Sequence, residues 1–166
     1  MIAATPAGKR TEKLFLTMPG YKGHIAGSLA VAGAGIFGLA FAGIYQPEPF
    51  TGGALVVACV LGALFPDVDT DSKGQNVFYS MMLLVDVALI LLEHYKWAAF
   101  LGAFAMLPGI GPHRGWTHTW WAMILVPLPI LVIPYFLLEL AWHTYLPFYL
   151  AFSAGYFSHL ALDRKF

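Results

Sequence analysis

The chain has 166 residues, of which 59% are hydrophobic and only 11% charged, and its formal net charge is zero. A soluble domain usually carries about a quarter charged residues, and the apolar residues here lie in long blocks, so we predict a membrane protein. The zero net charge argues against an electrostatically bound nucleic-acid partner. The single cysteine, Cys59, excludes an intramolecular disulfide and a thiolate metal cluster.

The first 23 residues form a basic segment ahead of the first apolar block. That block, Ile25–Tyr45, is longer than the apolar core of a signal peptide and long enough to span a membrane. We therefore predict an uncleaved anchor. Residues 1–23 would form a cytoplasmic segment, and residues 24–166 would form one membrane-embedded helical domain.

Six apolar blocks predict an all-α, polytopic membrane helix bundle with about six transmembrane segments. A full span needs about 20 residues, so two blocks, the second and the fourth, are predicted to be short. Helices that end below the membrane surface would leave their ends in a protein-lined cavity. The blocks run roughly over Ile25–Tyr45, Gly52–Phe65, Val77–Leu92, Trp97–Ile110, Thr119–Leu138 and Leu146–Leu162.

The first block also contains a series of glycines, which we predict to allow close helix packing. The members of this series are Gly33, Gly35, Gly38 and Gly43.

The distribution of lysine and arginine predicts the orientation of the bundle. With a cytoplasmic N-terminus and six crossings, eight cations fall on the inside and only Lys96 falls on the outside. Both termini are therefore predicted to be cytoplasmic. The inside cations are Lys9, Arg10, Lys13, Lys22, Lys73, Arg114, Arg164 and Lys165.

Seven histidine and aspartate residues play no part in that prediction, yet all of them fall at its inside ends. In a chain so poor in charge, a shared metal site is the most economical reason to gather imidazoles and carboxylates on one face. The seven candidate ligands are His24, Asp67, Asp69, His113, His118, His159 and Asp163.

The second block ends in a pair of carboxylates, Asp67 and Asp69, directly after Pro66. In an extended turn, side chains two residues apart point the same way. Such a pair can bind or bridge a hard divalent cation. A simple turn at the end of a helix also favours proline and aspartate, so both interpretations stay open here.

The segment between the fourth and fifth blocks places His113 and His118 five residues apart. That spacing does not face one ligand on a regular helix, but Gly115 can bend the chain. Imidazole suits zinc, manganese and iron. Arg114 could hold an anionic oxygen or serve only as an inside anchor, and Thr117 could cap the fifth helix.

Two further acidic residues have different surroundings. Asp163 follows His159 by four residues on one helical face, so the two could both be ligands, or one could orient the other. A simple cap or ion pair is the alternative. Asp86 lies in the middle of the third span, where a carboxylate is costly and usually faces the bundle interior. It could support a ligand, pair with a hydroxyl or stay protonated.

In chain order, an early His24 is followed by LFPDVDTDSKGQ, HRGWTH and GYFSHLALD. These motifs resemble the bacterial YdjM-like family of membrane-bound, metal-dependent hydrolases over most of the chain, from His24 to Asp163. The resemblance implies an inner-membrane protein whose metal site is formed by the seven candidate ligands. Relatives often read PDxDH, whereas Thr70 and Asp71 stand where that histidine would be.

From these features we predict a hydrolase that binds one or two divalent ions, zinc or manganese, at the cytoplasmic side of the inner membrane. Metal-activated water would attack a membrane-associated (phospho)ester, so the expected partner is a membrane lipid or a lipid-like molecule. Arg114 would neutralise developing charge, and Asp163 or Asp86 would orient a ligand or shuttle a proton. The alternatives are a divalent-metal or proton transporter and a non-catalytic protein stapled by its metal.

Overall fold

The computed structural model describes residues 20–68, 72–109 and 116–163. These ranges contain seven α-helices, three short 3-10 helices and no strand, so the prediction of an all-α fold is confirmed. The α-helices are α1 (Tyr21–Phe41), α2 (Pro49–Leu64), α3 (Lys73–Leu91), α4 (Tyr95–Ala105), α5 (Trp120–Leu125), α6 (Pro129–Leu137) and α7 (Trp142–Leu162).

Four helical segments of the described chain are long and apolar enough to cross a membrane. They are Tyr21–Phe41, Pro49–Asp67, Lys73–Leu91 and Trp120–Leu137. The predicted six crossings and their orientation therefore stay a prediction, because α4 and α7 are not among these four. Helix α4 is short, as predicted, with 11 residues.

The prediction of a short second segment is wrong. Helix α2 begins at Pro49, since proline is well suited to the first turn of a helix. At its other end the chain continues through a 3-10 turn, Phe65–Asp67. Together they make a segment of 19 residues, which is long enough to cross.

The fifth predicted block is divided into α5 and α6 by a turn around Pro127. Proline has no backbone N–H and disfavours a helical conformation in the residue before it, so Pro127 and Pro129 interrupt the helical hydrogen bonds. The cap of α5 is Thr119, whose hydroxyl accepts a hydrogen bond from the Ala122 amide at 3.4 Å. Thr117 therefore does not have the capping role that was predicted for it.

The tightest packing in the described chain joins α2 to α7. The backbones touch at Gly62 and Gly155: a side chain at Gly155 would overlap the carbonyl of Cys59, and one at Gly62 would overlap that of Phe152. Cys59 is fully buried, and its thiol donates to the Ser28 carbonyl of α1 at 3.3 Å. Helix α1 is thereby held against the same pair.

The glycine series of the first block does not make the close contact that we predicted for it. Apart from the nearby backbone of α1 itself, no atom of the described residues lies within 4 Å of a Cβ built at Gly33, Gly35 or Gly38. Gly43 serves a different purpose, because its φ of 69° lies in the left-handed region that favours glycine just after the helix ends.

Phe65 forms the centre of an aromatic core directly below the end of α2. Its side chain is fully buried, and Asp67 follows it by two residues. Packing around this ring therefore determines where Asp67 lies. Five aromatic rings surround it at centroid distances of 5.6–6.3 Å: Phe78, Phe104, Trp116, Phe152 and Tyr156.

Candidate metal centre

Five histidine and aspartate side chains meet at one end of the bundle, where α1 begins and where α2 and α7 end. His24 lies in the first turn of α1, and Asp67 ends the 3-10 turn after α2. His118 ends the 3-10 turn Trp116–His118 that precedes α5. His159 lies in the last turn of α7, and Asp163 is the residue at its C-cap.

Each histidine Nε2 atom in this cluster faces both carboxylates. The Nε2 of His118 lies 3.3 Å from Asp67 and 4.0 Å from Asp163. That of His159 lies 3.7 and 3.4 Å from the same two residues, and that of His24 lies 3.9 and 3.4 Å from them. Ligands bound at zinc-like distances to a common ion are roughly 3.0 to 4.4 Å apart. The observed spacing therefore fits one divalent ion.

The five side chains are not equivalent in this arrangement. Ligand atoms of Asp67, His118, His159 and Asp163 all lie within 4.8 Å of one another. His24 reaches both carboxylates but does not belong to that mutual set. Four residues thus form the inner group, and His24 completes it from the side.

His159 has the orientation expected of a metal ligand. Its Nδ1 lies 2.7 Å from the carbonyl of Ala63, which can only accept, so Nδ1 carries the proton and donates it. The Nε2 lone pair then points into the cluster. Nε2 is buried and has no hydrogen-bond partner among the described residues. Leaving such an atom unpaired is costly, and a bound cation would satisfy it.

The other two histidines are also held in place by their neighbours. The ring of His24 stacks on that of His159, with centroids 3.9 Å apart and an interplanar angle of 20°. The Nδ1 of His118 lies 3.3 Å from the Thr117 hydroxyl. The Tyr156 hydroxyl of α7 donates to the Thr117 carbonyl and ties this turn to the bundle.

The cluster brings two carboxylates together in a largely buried site, so their negative charge must be offset. The side chains of His24, His118, His159 and Asp163 are at most 9% exposed, whereas Asp67 is 32% exposed. Two carboxylates this close would repel each other in a medium of low polarity unless cations offset them. A divalent ion held by the cluster would supply that charge. Three imidazoles favour a transition metal or zinc over calcium or magnesium.

The structure brings together five of the seven predicted ligands. The other two, Asp69 and His113, lie outside the described residues, as do Arg114 and Asp71. A second ion, which the larger ligand set suggested, therefore stays a prediction.

Asp86 is not brought to the cluster. The start of α3 lies near the cluster. A Cβ atom built at Gly74 would be 3.9 Å from the side chain of Leu64, which precedes Asp67 by three residues. Asp86 is about 18 Å further along the helix at 1.5 Å per residue. There it lines a cavity of about 340 Å³ with Gly102 and Ala105 of α4, and no cluster residue lines that cavity. Its predicted role beside the ligands has no support in this geometry.

Three supporting groups escaped the sequence analysis. The Ala63 carbonyl orients a histidine that lies 96 residues away in the chain, and no pattern in the sequence marks a backbone carbonyl for this purpose. Thr117 was interpreted only as a helix cap. Tyr156 lies seven residues before Asp163 in the GYFSHLALD motif, so the motif itself could have drawn attention to it.

The chain was compared with known families and proteins. The family described as YdjM inner membrane protein matches residues 18–164, which include every residue of the cluster. No curated protein and no solved structure matches at a significant level. Because the match extends over nearly the whole sequence, the chain belongs to the YdjM inner membrane protein family.

Proposed function

We propose that this protein is a metal-dependent hydrolase that cleaves a membrane-associated phosphoester at the cytoplasmic face of the inner membrane. One observation carries the proposal. Three imidazole nitrogens and two carboxylates converge with spacings of 3.3–4.0 Å, and buried ligand atoms among them lack hydrogen-bond partners in the described chain.

The buried and the exposed residues of the cluster would have different roles. His118, His159 and Asp163 are nearly buried and would hold the cation rigidly. When bound, the cation would act as a Lewis acid and lower the pKa of water toward neutrality. Asp67 is the most exposed member, so it borders the side from which water and substrate would enter. Its carboxylate is placed to accept a proton from an incoming water.

The position of the cluster favours an amphiphilic substrate. It lies at the ends of helices that are long and apolar enough to cross a membrane, in a family of inner membrane proteins. A lipid head group at the interface would reach it without leaving the bilayer. Arg114, four residues before His118, remains our predicted partner for a phosphate oxygen.

The same geometry supports a structural role as the second candidate. Five protein ligands exceed the three that most catalytic zinc sites use, and a closed site would staple α1, α2 and α7 together. A transporter has less support. A cavity of about 500 Å³ between α2, α4, α6 and α7 is lined by apolar side chains, so it offers an ion no polar path along the helices.

The decisive experiment measures the metal content of the purified full-length chain in wild type and in three variants. We expect about one divalent ion per wild-type chain and loss of most of it in His118→Ala and Asp67→Ala. His94→Ala is the matched control, because His94 is exposed at the start of α4. Equal metal content in all four proteins would contradict a shared site.

Hydrolysis is then measured as phosphate released from a phosphatidic acid and from an isoprenoid phosphate in mixed micelles. We expect turnover that needs the metal and falls by about 100-fold in His118→Ala, with His94→Ala unaffected. Retained metal without turnover of any lipid phosphate would support the structural role instead.

A further inference from the structure

The described helices form a second feature that the proposed hydrolase does not explain: a partly open cavity of about 500 Å³ between the helices. Helices α2, α3, α4, α6 and α7 all contribute to it. Its volume lies within the roughly 300–1,000 Å³ of typical ligand sites.

The lining of this cavity is apolar throughout. Among the described residues that line it, none carries a charged, hydroxyl or amide side chain, and only Trp97 has a side-chain nitrogen or oxygen atom. Water needs two to four polar partners to occupy such a space, and this lining does not provide them. An empty cavity of this size would deprive its lining of dispersion contacts. Hydrocarbon is the occupant whose chemistry matches.

The depth of the cavity relative to the cluster matches one leaflet of a bilayer. Along α7, Phe152 and Phe148 line the cavity about 10 and 16 Å from His159. Along α2, Leu61 and Val57 line it about 9 and 15 Å from Asp67. Half of a hydrocarbon core is about 15 Å thick. A molecule with its head at the cluster would thus place its tail at this depth.

The aromatic core around Phe65 separates the cavity from the cluster. Phe65 precedes Asp67 by two residues, and it contacts Phe104 and Phe152, both of which line the cavity. The centroid distances are 5.6 and 6.0 Å. A tail would therefore enter the cavity from its open side, around this core.

We propose that the cavity binds the single hydrocarbon tail of the phosphoester whose head group lies at the His–Asp cluster, so that the substrate class is a long-chain alkyl or isoprenoid phosphate. The inference rests on the proposed function for the head group. The tail site is carried by the volume, lining and depth of the cavity.

The test uses a hexadecyl phosphate with a photoreactive diazirine in its chain, added to the full-length protein in phosphatidylcholine nanodiscs. Mass spectrometry after illumination locates the labelled residues. We expect labelling of Leu61, Phe104 and Ile133. We also expect unlabelled hexadecyl phosphate, but not butyl phosphate, to compete for it. Labelling confined to outward-facing residues such as Leu84 would overturn the proposal.

The head group is tested with the corresponding diazirine-bearing hexadecanol. We expect it to label the cavity about tenfold less than the phosphate does, the ratio that corresponds to about 1.4 kcal/mol of binding free energy. Equal labelling would mean that any bilayer tail enters, and the proposal of a substrate tail would be wrong.

Two variants fill the cavity from different helices: Ala58→Trp in α2 and Ile133→Trp in α6. Ala88→Trp is the matched control, because Ala88 is exposed on α3 and lines neither cavity. Unchanged metal content shows that a variant has folded. We expect about a tenfold loss of labelling in either folded cavity variant and none in the control. Undiminished labelling in a folded cavity variant would contradict the proposal.

Labelling and turnover are separate measurements, so the two proposals can fail independently. Cavity labelling without hydrolysis would support the tail site and contradict the proposal that the protein is a hydrolase. Hydrolysis without cavity labelling would support the proposal of a hydrolase and contradict the proposal of a tail site.

Discussion

The α2–α7 pair and the α3–α4 pair differ in how closely their helices approach each other. Between α2 and α7 the backbones touch at Gly62 and Gly155, with no space for a side chain. Between α3 and α4 a cavity of about 340 Å³ remains around Asp86. The first pair carries Asp67, His159 and Asp163, whereas the second carries none of the cluster.

This difference has a physical reason. Ligand atoms on separate helices keep a spacing of 3.3–4.0 Å only if the helices cannot slide, and backbone contact prevents sliding. The α3–α4 pair carries no ligand, so its looser packing does not disturb the cluster. The backbone contact between α2 and α7 therefore fits the chemistry of the cluster.

The largest expected effect comes from disturbing the tight pair. Gly155→Ala places a methyl group against the Cys59 carbonyl, and we expect a loss of about 3 kcal/mol in the free energy of unfolding. Gly35→Ala is the matched control, since its Cβ meets nothing within 4 Å. Thermal unfolding in detergent measures both. Equal stability of the two variants would mean that the backbone contact is unimportant.

Metal binding should have an effect of similar size. At a free metal concentration 100 times the dissociation constant, we expect stabilisation of about 2.7 kcal/mol, which a chelator removes. The chelator should not change the unfolding of His118→Ala. His94→Ala should respond as the wild type does. If the chelator still destabilised His118→Ala, the ion would bind at a site other than the cluster.

A smaller effect is expected from the group that ties the His118 turn to α7. Tyr156→Phe removes the hydrogen bond to the Thr117 carbonyl, and we expect about 1 kcal/mol of destabilisation and about tenfold weaker metal binding. Tyr149→Phe is the control on the same helix, because its hydroxyl donates to the Ile124 carbonyl at an exposed position. Metal titration compares the two, and equal affinities would remove the positioning role of Tyr156.

The smallest effect is expected in the loose pair. Asp86→Asn keeps the shape of the side chain, and Asp86 lies about 18 Å along α3 from the end near the cluster. Since distant sites act independently, we expect metal affinity and turnover within about twofold of wild type. A large loss of turnover with retained metal would restore the proton-shuttle role that the sequence suggested for Asp86.

The sequence predicted the helical class and five residues that meet in the structure, because both depend on local features. Long apolar blocks predict helices, and the histidines and aspartates mark the ends of those blocks. Segment boundaries were predicted less well. Pro49 lengthened α2 and Pro127 divided the fifth block, while α7 begins at Trp142, ahead of the predicted Leu146, and continues through Pro147. Proline can begin, break or continue a helix, and its neighbours in space decide which.

The packing of glycines also depended on neighbours in space and was not predicted from the sequence. The series in the first block predicted close packing, yet the backbone contacts between helices lie at Gly62 and Gly155. A glycine allows close approach, but only the arrangement of helices determines which glycine meets a partner.

The sequence by itself determined that this is an apolar helical protein of the YdjM family with acid and imidazole ligands at the ends of its segments. Only the tertiary structure decided that His24, Asp67, His118, His159 and Asp163 share one centre and that Asp86 does not. The reason is that residue type and helix ends are local properties of the chain. The distance between two side chains on different helices depends on how those helices pack.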